Sequence, residues 1–116
     1  MTRQVVNGRI VIEPTADLCE GAECDQLERE ILEHVRQGHA VVLDLSRTRL
    51  LSARGLGILA RAQSVAVEHG TRVVVCGANH LQLHLLSATR LADEIAVLDD
   101  VPAAVRLLES LRPVAA

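Results

Sequence analysis

One apolar segment in the middle of the chain restricts the fold more than any other feature. Val41 to Leu45 is apolar at both alternating positions except for Asp44, so both faces of this strand must be covered. The residues that follow predict a short loop and then a helix. Strands buried on both faces are typical of a parallel or mixed sheet with helices packed on it. The sequence therefore predicts an α/β fold.

The remaining periodicity predicts further helices and strands along the chain. Glu23 to Gln37 carries apolar residues on one helical face, with acidic residues at its start and Gly38 as a C-terminal cap. The predicted strands are about 4–7, 9–13, 40–45, 71–76 and 95–98, and the predicted helices are about 23–37, 53–69, 79–89 and 102–111. We expect one domain over residues 1–116, with its core at about 4–111, in which about four helices pack on a mixed central sheet.

Composition excludes several functional classes. The chain has 116 residues, a formal net charge of −3, and no Phe, Tyr or Trp. Bases cannot stack on absent aromatic rings, and no basic stripe is present to hold a phosphate backbone, so direct nucleic-acid binding is not expected. All 12 basic residues are Arg, which excludes a lysine nucleophile. Arg without Lys, with abundant Ala and Val, is typical of a GC-rich bacterial genome.

The sequence shows no targeting segment. The first residues lack a signal peptide, and no apolar run approaches the roughly 20 residues that span a bilayer. We therefore expect a cytoplasmic protein without membrane contact. Cys24 and Cys76 fall in apolar faces and are expected to be buried, whereas Cys19 falls in a loop. An exposed Cys19 thiol and a regulatory bond between Cys19 and Cys24 both remain open.

The predicted helix after the central loop leaves an apolar strip beside its core face. Ser52 precedes this helix as its natural N-cap. Leu56, Ala60 and Val67 lie between the core face and the solvent face, and such a strip is more often explained by a binding partner than by solvent. The predicted core face consists of Gly55, Ile58, Leu59, Ala62, Val65 and Ala66.

Three other patterns carry less weight. Gly55-Leu-Gly57 matches part of a dinucleotide fingerprint, but nine residues separate it from Leu45, and the fingerprint needs its first glycine directly after the strand. His80 and His84 have the i, i+4 spacing of a metal pair without a third ligand nearby. Ser52 lacks the Gly-x-Ser-x-Gly elbow of a hydrolase, and no base can be assigned to it. No catalytic residue, metal site or cofactor is expected.

The whole pattern resembles the STAS domain of anti-sigma factor antagonists. The resemblance is carried by Val-Val-Leu-Asp44-Leu-Ser, by Gly55-Leu56-Gly57-Ile-Leu and by Glu-His-Gly70-Thr-Arg-Val-Val-Val. It extends over nearly the whole chain, because Ile-Glu-Pro-Thr-Ala-Asp17 lies where that family has a Gly-x-Leu-Asp turn. The resemblance implies a protein without an active site that binds an anti-sigma factor, usually an ATP-dependent serine kinase, and releases the sigma factor. Phosphorylation of the antagonist by that kinase breaks the complex.

The switch motif of that family, Asp-Ser-Ser/Thr-Gly-Leu, is altered in this chain. Ser52, Ala53 and Arg54 stand at its first three positions, and Gly55 and Leu56 are retained. The family's phosphoacceptor is the hydroxyl residue directly before the glycine, so Arg54 has replaced it. A phosphate would add about −1.5 to −2 charges at this helix start, whereas Arg54 adds a positive charge. The resemblance therefore implies a binding function without the usual off-switch.

The resemblance also implies the residues of a partner-binding site. Asp17 and Asp44 resemble acidic residues that line the family's site, and we expect them to offset the charge of Arg54 as surface pairs worth roughly 0 to 1 kcal/mol. Phosphorylation of Ser52 in place of the missing acceptor remains open. The expected binding site consists of Ser52, Arg54, Gly55, Leu56, Ala60, Asp17 and Asp44.

Three functions follow from these patterns. The leading one is an anti-sigma factor antagonist of a stress-response pathway, a monomer or weak dimer that binds a kinase-like anti-sigma factor. The second is a degenerate STAS scaffold or ligand-binding module with no kinase partner. The third is an enzyme, which is disfavoured because no nucleophile, base and electrophile can be placed together.

Overall fold

The computed structural model of the chain describes residues 2–15 and 21–111. Within these ranges one mixed sheet has the strand order β1-β2-β3-β4-β5. The strands are β1 (Thr2–Val6), β2 (Arg9–Glu13), β3 (Val41–Asp44), β4 (Val73–Cys76) and β5 (Val97–Leu98), and the helices are α1 (Ala22–Arg36), α2 (Ala53–Glu68), α3 (His80–Ala88) and α4 (Val101–Ser110). The predicted α/β fold, a mixed sheet with four helices packed on it, is confirmed.

The pairing of the strands brings the carboxyl ends of the central strands to one edge of the sheet. β1 pairs with β2 in antiparallel orientation, and the remaining neighbours are parallel. The register aligns Asp44, the last residue of β3, with Cys76, the last residue of β4. The loop that leads to α2 therefore begins beside the end of β4.

Both faces of the sheet are covered, as the apolar run of β3 predicts. On one face, Leu43 belongs to a core shared with Ile31 of α1 and Ile58 of α2. On the other face, Val42 belongs to a second core shared with Leu108 of α4. Each such aliphatic side chain contributes about 1.5–3 kcal/mol when it leaves water. Burial of this kind, without any aromatic ring, stabilises the domain.

Several strand bounds differ by one or two residues from the sequence-based expectation, and two of these differences have a clear backbone cause. The first strand was expected to reach Asn7, but Asn7 (φ 49°) and Gly8 (φ 79°) form the turn between β1 and β2. Positive φ at both central residues is the conformation of a type I′ hairpin turn. The last strand was expected to begin at Ile95, but Ile95 N donates to Leu91 O (2.8 Å), which continues the turn of the 3-10 helix Leu91–Asp93.

No helix within residues 2–15 and 21–111 has the length and apolar character needed to cross a bilayer.

Candidate partner-binding site

The loop between β3 and α2 starts with a local hydrogen bond. Asp44 Oδ1 accepts from Ser46 N at 3.0 Å, which turns the chain away from the sheet. Gly77, directly after β4, has φ +70°, and a Cβ atom there would lie 2.7 Å from Asp44 Oδ1. A side chain at position 77 would therefore displace Asp44. The predicted site residue Asp44 is half-buried and forms part of the framework of this loop.

A buried polar network fixes the middle of the same loop. Thr48 Oγ1 donates to Pro14 O (3.2 Å), and Gln82 Nε2 of α3 donates to Thr48 O (2.6 Å). Gln82 Oε1 also accepts from Asn79 N (2.8 Å), and Asn79 Nδ2 donates to Arg49 O (3.1 Å). Thr48 and Gln82 are the buried polar residues of the described chain, and the network satisfies them. The loop is thereby attached to the end of β2 and to the start of α3.

Sequence reasoning missed this network, although one signal for it exists. Asn79-His-Leu-Gln82 has the spacing of a capping box, in which the cap residue and the third helical residue bond to each other's backbone N–H. That spacing predicts the start of α3. It does not predict that Gln82 also reaches across to Thr48, because this contact joins residues 34 positions apart.

The start of α2 agrees in part with the prediction. Ser52 is the N-cap residue, with an extended backbone (φ −89°, ψ 179°), and its carbonyl accepts from Leu56 N at 2.9 Å. The expectation of a capping serine hydroxyl is wrong, since the Ser52 side chain makes no capping hydrogen bond to α2. The helix starts at the predicted residue through its backbone bonds.

Arg54 is held by carboxylates of α1. Its Nη2 lies 2.5 Å from Asp25 Oδ1 and 3.8 Å from Glu28 Oε1. The expected pairing with Asp44 is absent from the ion pairs of the described residues, and Asp44 Oδ1 accepts from Ser46 N instead; Asp17 lies outside the described residues. A positive charge in the first turn opposes the helix dipole by about 0.3–1 kcal/mol, so the two carboxylates offset a real cost. Asp25 and Glu28 are site residues that the sequence analysis did not find.

The apolar strip beside the first turn of α2 is present. Leu56 and Ala60 are partly buried against the core, and Val67 is 64% exposed. Gly55 is buried, in agreement with its predicted place on the core face. Arg54 lies in the first turn of α2 and faces α1, whereas the strip runs along another side of the same helix. We call Arg54 and the strip together the α2 surface.

The cysteine and histidine side chains singled out in the sequence differ in burial. Burial, with Asp44 and Asp100 nearby, raises the pKa of the Cys76 thiol from 9.0 to about 12, so this sulfur stays protonated and unreactive at neutral pH. Cys24 is buried too, as predicted, and Cys19 lies outside the described residues. His80 and His84 are exposed on α3, and no cluster of metal-ligating side chains occurs within residues 2–15 and 21–111.

Comparison with known proteins agrees with this architecture. A family model described as "Mlab, STAS domain" matches residues 19–108. The chain belongs to the STAS domain family. Proteins with this domain are typically regulators rather than enzymes. No curated protein sequence matches the chain.

Solved structures with the same fold include anti-sigma factor antagonists and one part of an anion transporter. A candidate anti-sigma factor antagonist from Thermotoga maritima has a TM-score of 0.84 at 14% identity, over 93% of both chains. The anti-sigma factor antagonist SpoIIAA in its unphosphorylated form, a Bacillus cell fate determinant, has a TM-score of 0.78 at 12% identity, over 97% of this chain and 98% of its own. A murine anion transporter of the solute carrier 26 family has a TM-score of 0.74 at 16% identity, over 92% of this STAS chain and 18% of the transporter. At these identities the likeness concerns the fold.

Proposed function

We propose that this STAS domain is an anti-sigma factor antagonist that binds a kinase-like anti-sigma factor through the α2 surface. The observation that carries the proposal is the ion pair of Arg54 with Asp25, at the helix start where the family's motif has a phosphorylatable hydroxyl. Arginine accepts no phosphate, and its charge is already paired within the domain. Binding is therefore not switched off by phosphorylation at this position. The chain acts as one cytoplasmic domain, a monomer or weak dimer, and contacts no nucleic acid directly.

The shape of the α2 surface supports protein binding rather than small-molecule binding. Leu56, Ala60 and Val67 give an apolar strip along one helix, and Arg54 with Asp25 gives a polar group at the start of the same helix. Interfaces of this composition, with an apolar centre and a polar rim, are typical of partner recognition. Release of the sigma factor follows if the same surface of the anti-sigma factor serves both partners.

The direct test is co-purification of the chain with an anti-sigma factor from the same genome, followed by calorimetric titration of the pair. Leu56→Gln and Val67→Gln should each weaken binding by about tenfold or less, because each removes one apolar contact from the interface. Val67→Gln carries little risk to folding because that side chain is mostly exposed. Val5→Gln is the matched control, since Val5 is equally exposed but lies on β1. Unchanged binding by both α2 variants would refute the proposal.

A second function is supported by the likeness to a transporter. The same fold makes up 18% of the murine anion transporter chain, so it also works as one part of a larger membrane protein. In that case the domain would be a scaffold without a kinase partner. Recovery of a transporter subunit, and no anti-sigma factor, in the same co-purification would favour this second function.

A further inference from the structure

Two arginines lie on either side of a small residue at the end of the sheet that is opposite to the start of α2. Ile10 pairs with Val41, and Val41 pairs with Val73. The parallel ladder continues one residue earlier, because Ile10 N donates to Ala40 O and Val41 N donates to Arg72 O, both at 3.1 Å. Arg9, Ala40 and Arg72 are therefore neighbours across three adjacent strands.

These three residues face the same side of the sheet. Ile10, Val41 and Val73 belong to the core under α1 and α2, so the residues before them point to the opposite face, which α4 covers. Ala40 packs against the core on that face, in agreement with this alternation. With strands about 4.8 Å apart, the Cα atoms of Arg9 and Arg72 are about 10 Å apart, with only a methyl group between their side chains.

The two guanidinium groups border an open cleft of about 770 Å³. Its edge consists of the turns that contain Gly8, Gly38 and Gly70, and a Cβ atom on any of these glycines would meet open space. Arg9 is oriented by its bond from Nη1 to Asn7 O (2.6 Å). The floor and edge of the cleft are therefore backbone and small residues, which leave room for a ligand between the arginines.

Within residues 2–15 and 21–111, no ion pair balances the two arginines of the cleft. No acidic side chain is among the described residues that line it, and within the described chain neither Arg9 nor Arg72 forms an ion pair. Glu109 Oε1 accepts at 3.0 Å from Nδ2 of Asn7, a residue that lines the cleft. The C-terminal ends of α1 and α2 also border the cleft, because Gly38 and Gly70 directly follow the C-cap residues of these helices, and the negative ends of the two helix dipoles therefore offset part of the arginine charge.

One wall of the cleft is apolar. Val67, Leu108 and Leu111 line it, and Val67 and Leu111 are 64% and 41% exposed. We infer that the cleft over Ala40 binds a small organic phosphate or sulfate, with the anionic group between Arg9 and Arg72 and an apolar group against this wall. Two guanidinium groups that face one gap match the several acceptor oxygens of such an anion. This site shares Val67 with the α2 surface, but its arginines lie at the opposite end of the sheet from Arg54.

The test is an amide NMR titration of the full chain with phenyl phosphate and with inorganic phosphate, at constant ionic strength. We expect saturable shifts at residues 38–41 and 71–73, with tighter binding of phenyl phosphate. Arg72→Gln should weaken binding by about tenfold, which corresponds to one lost charged hydrogen-bond donor. Arg9→Gln should have a similar effect, but Arg72 is the cleaner position because its side chain makes no hydrogen bond in the described chain.

Arg47→Gln is the control, because Arg47 is exposed in the loop at the opposite edge of the sheet. It should bind phenyl phosphate as the wild type does. Shifts that do not saturate, or that appear equally around Arg47, would overturn the inference. Wild-type affinity in Arg72→Gln would overturn it as well.

Discussion

Arg54 in the first turn of α2 is joined to Asp25 in the first turn of α1, with Nη2 and Oδ1 2.5 Å apart. The pair connects the amino ends of two neighbouring helices at the place where the STAS switch motif normally presents a hydroxyl group. Both side chains are largely exposed, at 40% and 64%, so the pair sets the local charge more than it sets the stability of the fold.

The energy of this ion pair is expected to be small. In a double-mutant cycle with Arg54→Ala and Asp25→Ala, the coupling free energy from urea unfolding should be below about 1 kcal/mol at moderate salt. Arg61→Ala, an exposed arginine on the same helix, is the control for loss of charge alone. A coupling well above this value would show that the pair is structural.

The wild-type protein should not be phosphorylated by its partner kinase. Arg54 occupies the acceptor position and has no hydroxyl group, so incubation with ATP and the anti-sigma kinase should leave the intact mass unchanged. A control reaction with an antagonist that has the usual motif shows that the kinase is active. Stoichiometric phosphate on Ser52 would contradict this prediction and would mean that the switch has moved by two residues.

The buried network under the loop should contribute to stability. Gln82→Leu leaves Thr48 O without its donor in a buried position, and the free energy of unfolding should fall by about 1–3 kcal/mol. Gln26→Leu on the exposed side of α1 is the matched control and should change stability by less than about 0.5 kcal/mol. Equal stability of the two variants in urea unfolding would show that the network does not hold the loop.

Stability should fall at alkaline pH because of Cys76. Its pKa is raised from 9.0 to about 12 in the folded protein, so the unfolded chain loses this proton first as the pH rises above 9. The unfolded state then binds fewer protons than the folded state, and unfolding is favoured by up to about 1.4 kcal/mol per pH unit. Below pH 8 Cys76 adds no pH dependence to the free energy of unfolding, because its thiol is protonated in both the folded and the unfolded state.

Composition makes this pH effect easy to isolate. The chain has no Lys and no Tyr, so the side chains that titrate between pH 9 and 11 in the unfolded state are cysteines. Cys76→Ala should remove part of the decline in stability that urea unfolding measures between pH 8 and 11. An identical slope in wild type and Cys76→Ala would show that the thiol is not protected.

The order of helices and strands was predictable because it rests on local patterns. The doubly buried run of β3 and the core face of α2 give the correct layers, apart from Val65, which is partly rather than fully buried. Asn-Gly is the preferred sequence of a type I′ hairpin turn, so Asn7-Gly8 also predicts that the first strand ends at Val6. The expected strand extended to Asn7 because this preference was not applied.

The contacts of the site were less predictable because they depend on how distant elements pack. Arg54 reaches Asp25 only because α1 and α2 lie side by side, whereas the family resemblance pointed to Asp17 and Asp44 as its partners. The bond from Gln82 to Thr48 similarly joins α3 to a loop 34 residues earlier. Periodicity places side chains on a face of their own element, but it does not say which carboxylate or carbonyl lies opposite.

The ATP sensitivity of the complex in wild type and in Arg54→Ser tests the central proposal most directly. The substitution restores a hydroxyl before Gly55 and Leu56 and removes one exposed ion pair, so the fold should tolerate it within about 0.5–1 kcal/mol. Arg54→Ala, with neither the charge nor the hydroxyl, is the control. We expect ATP to dissociate the complex of the kinase with Arg54→Ser, and the complexes with wild type and Arg54→Ala to persist. Dissociation of the wild-type complex at the same rate, or normal binding of Arg54→Ser without phosphorylation, would contradict the proposal.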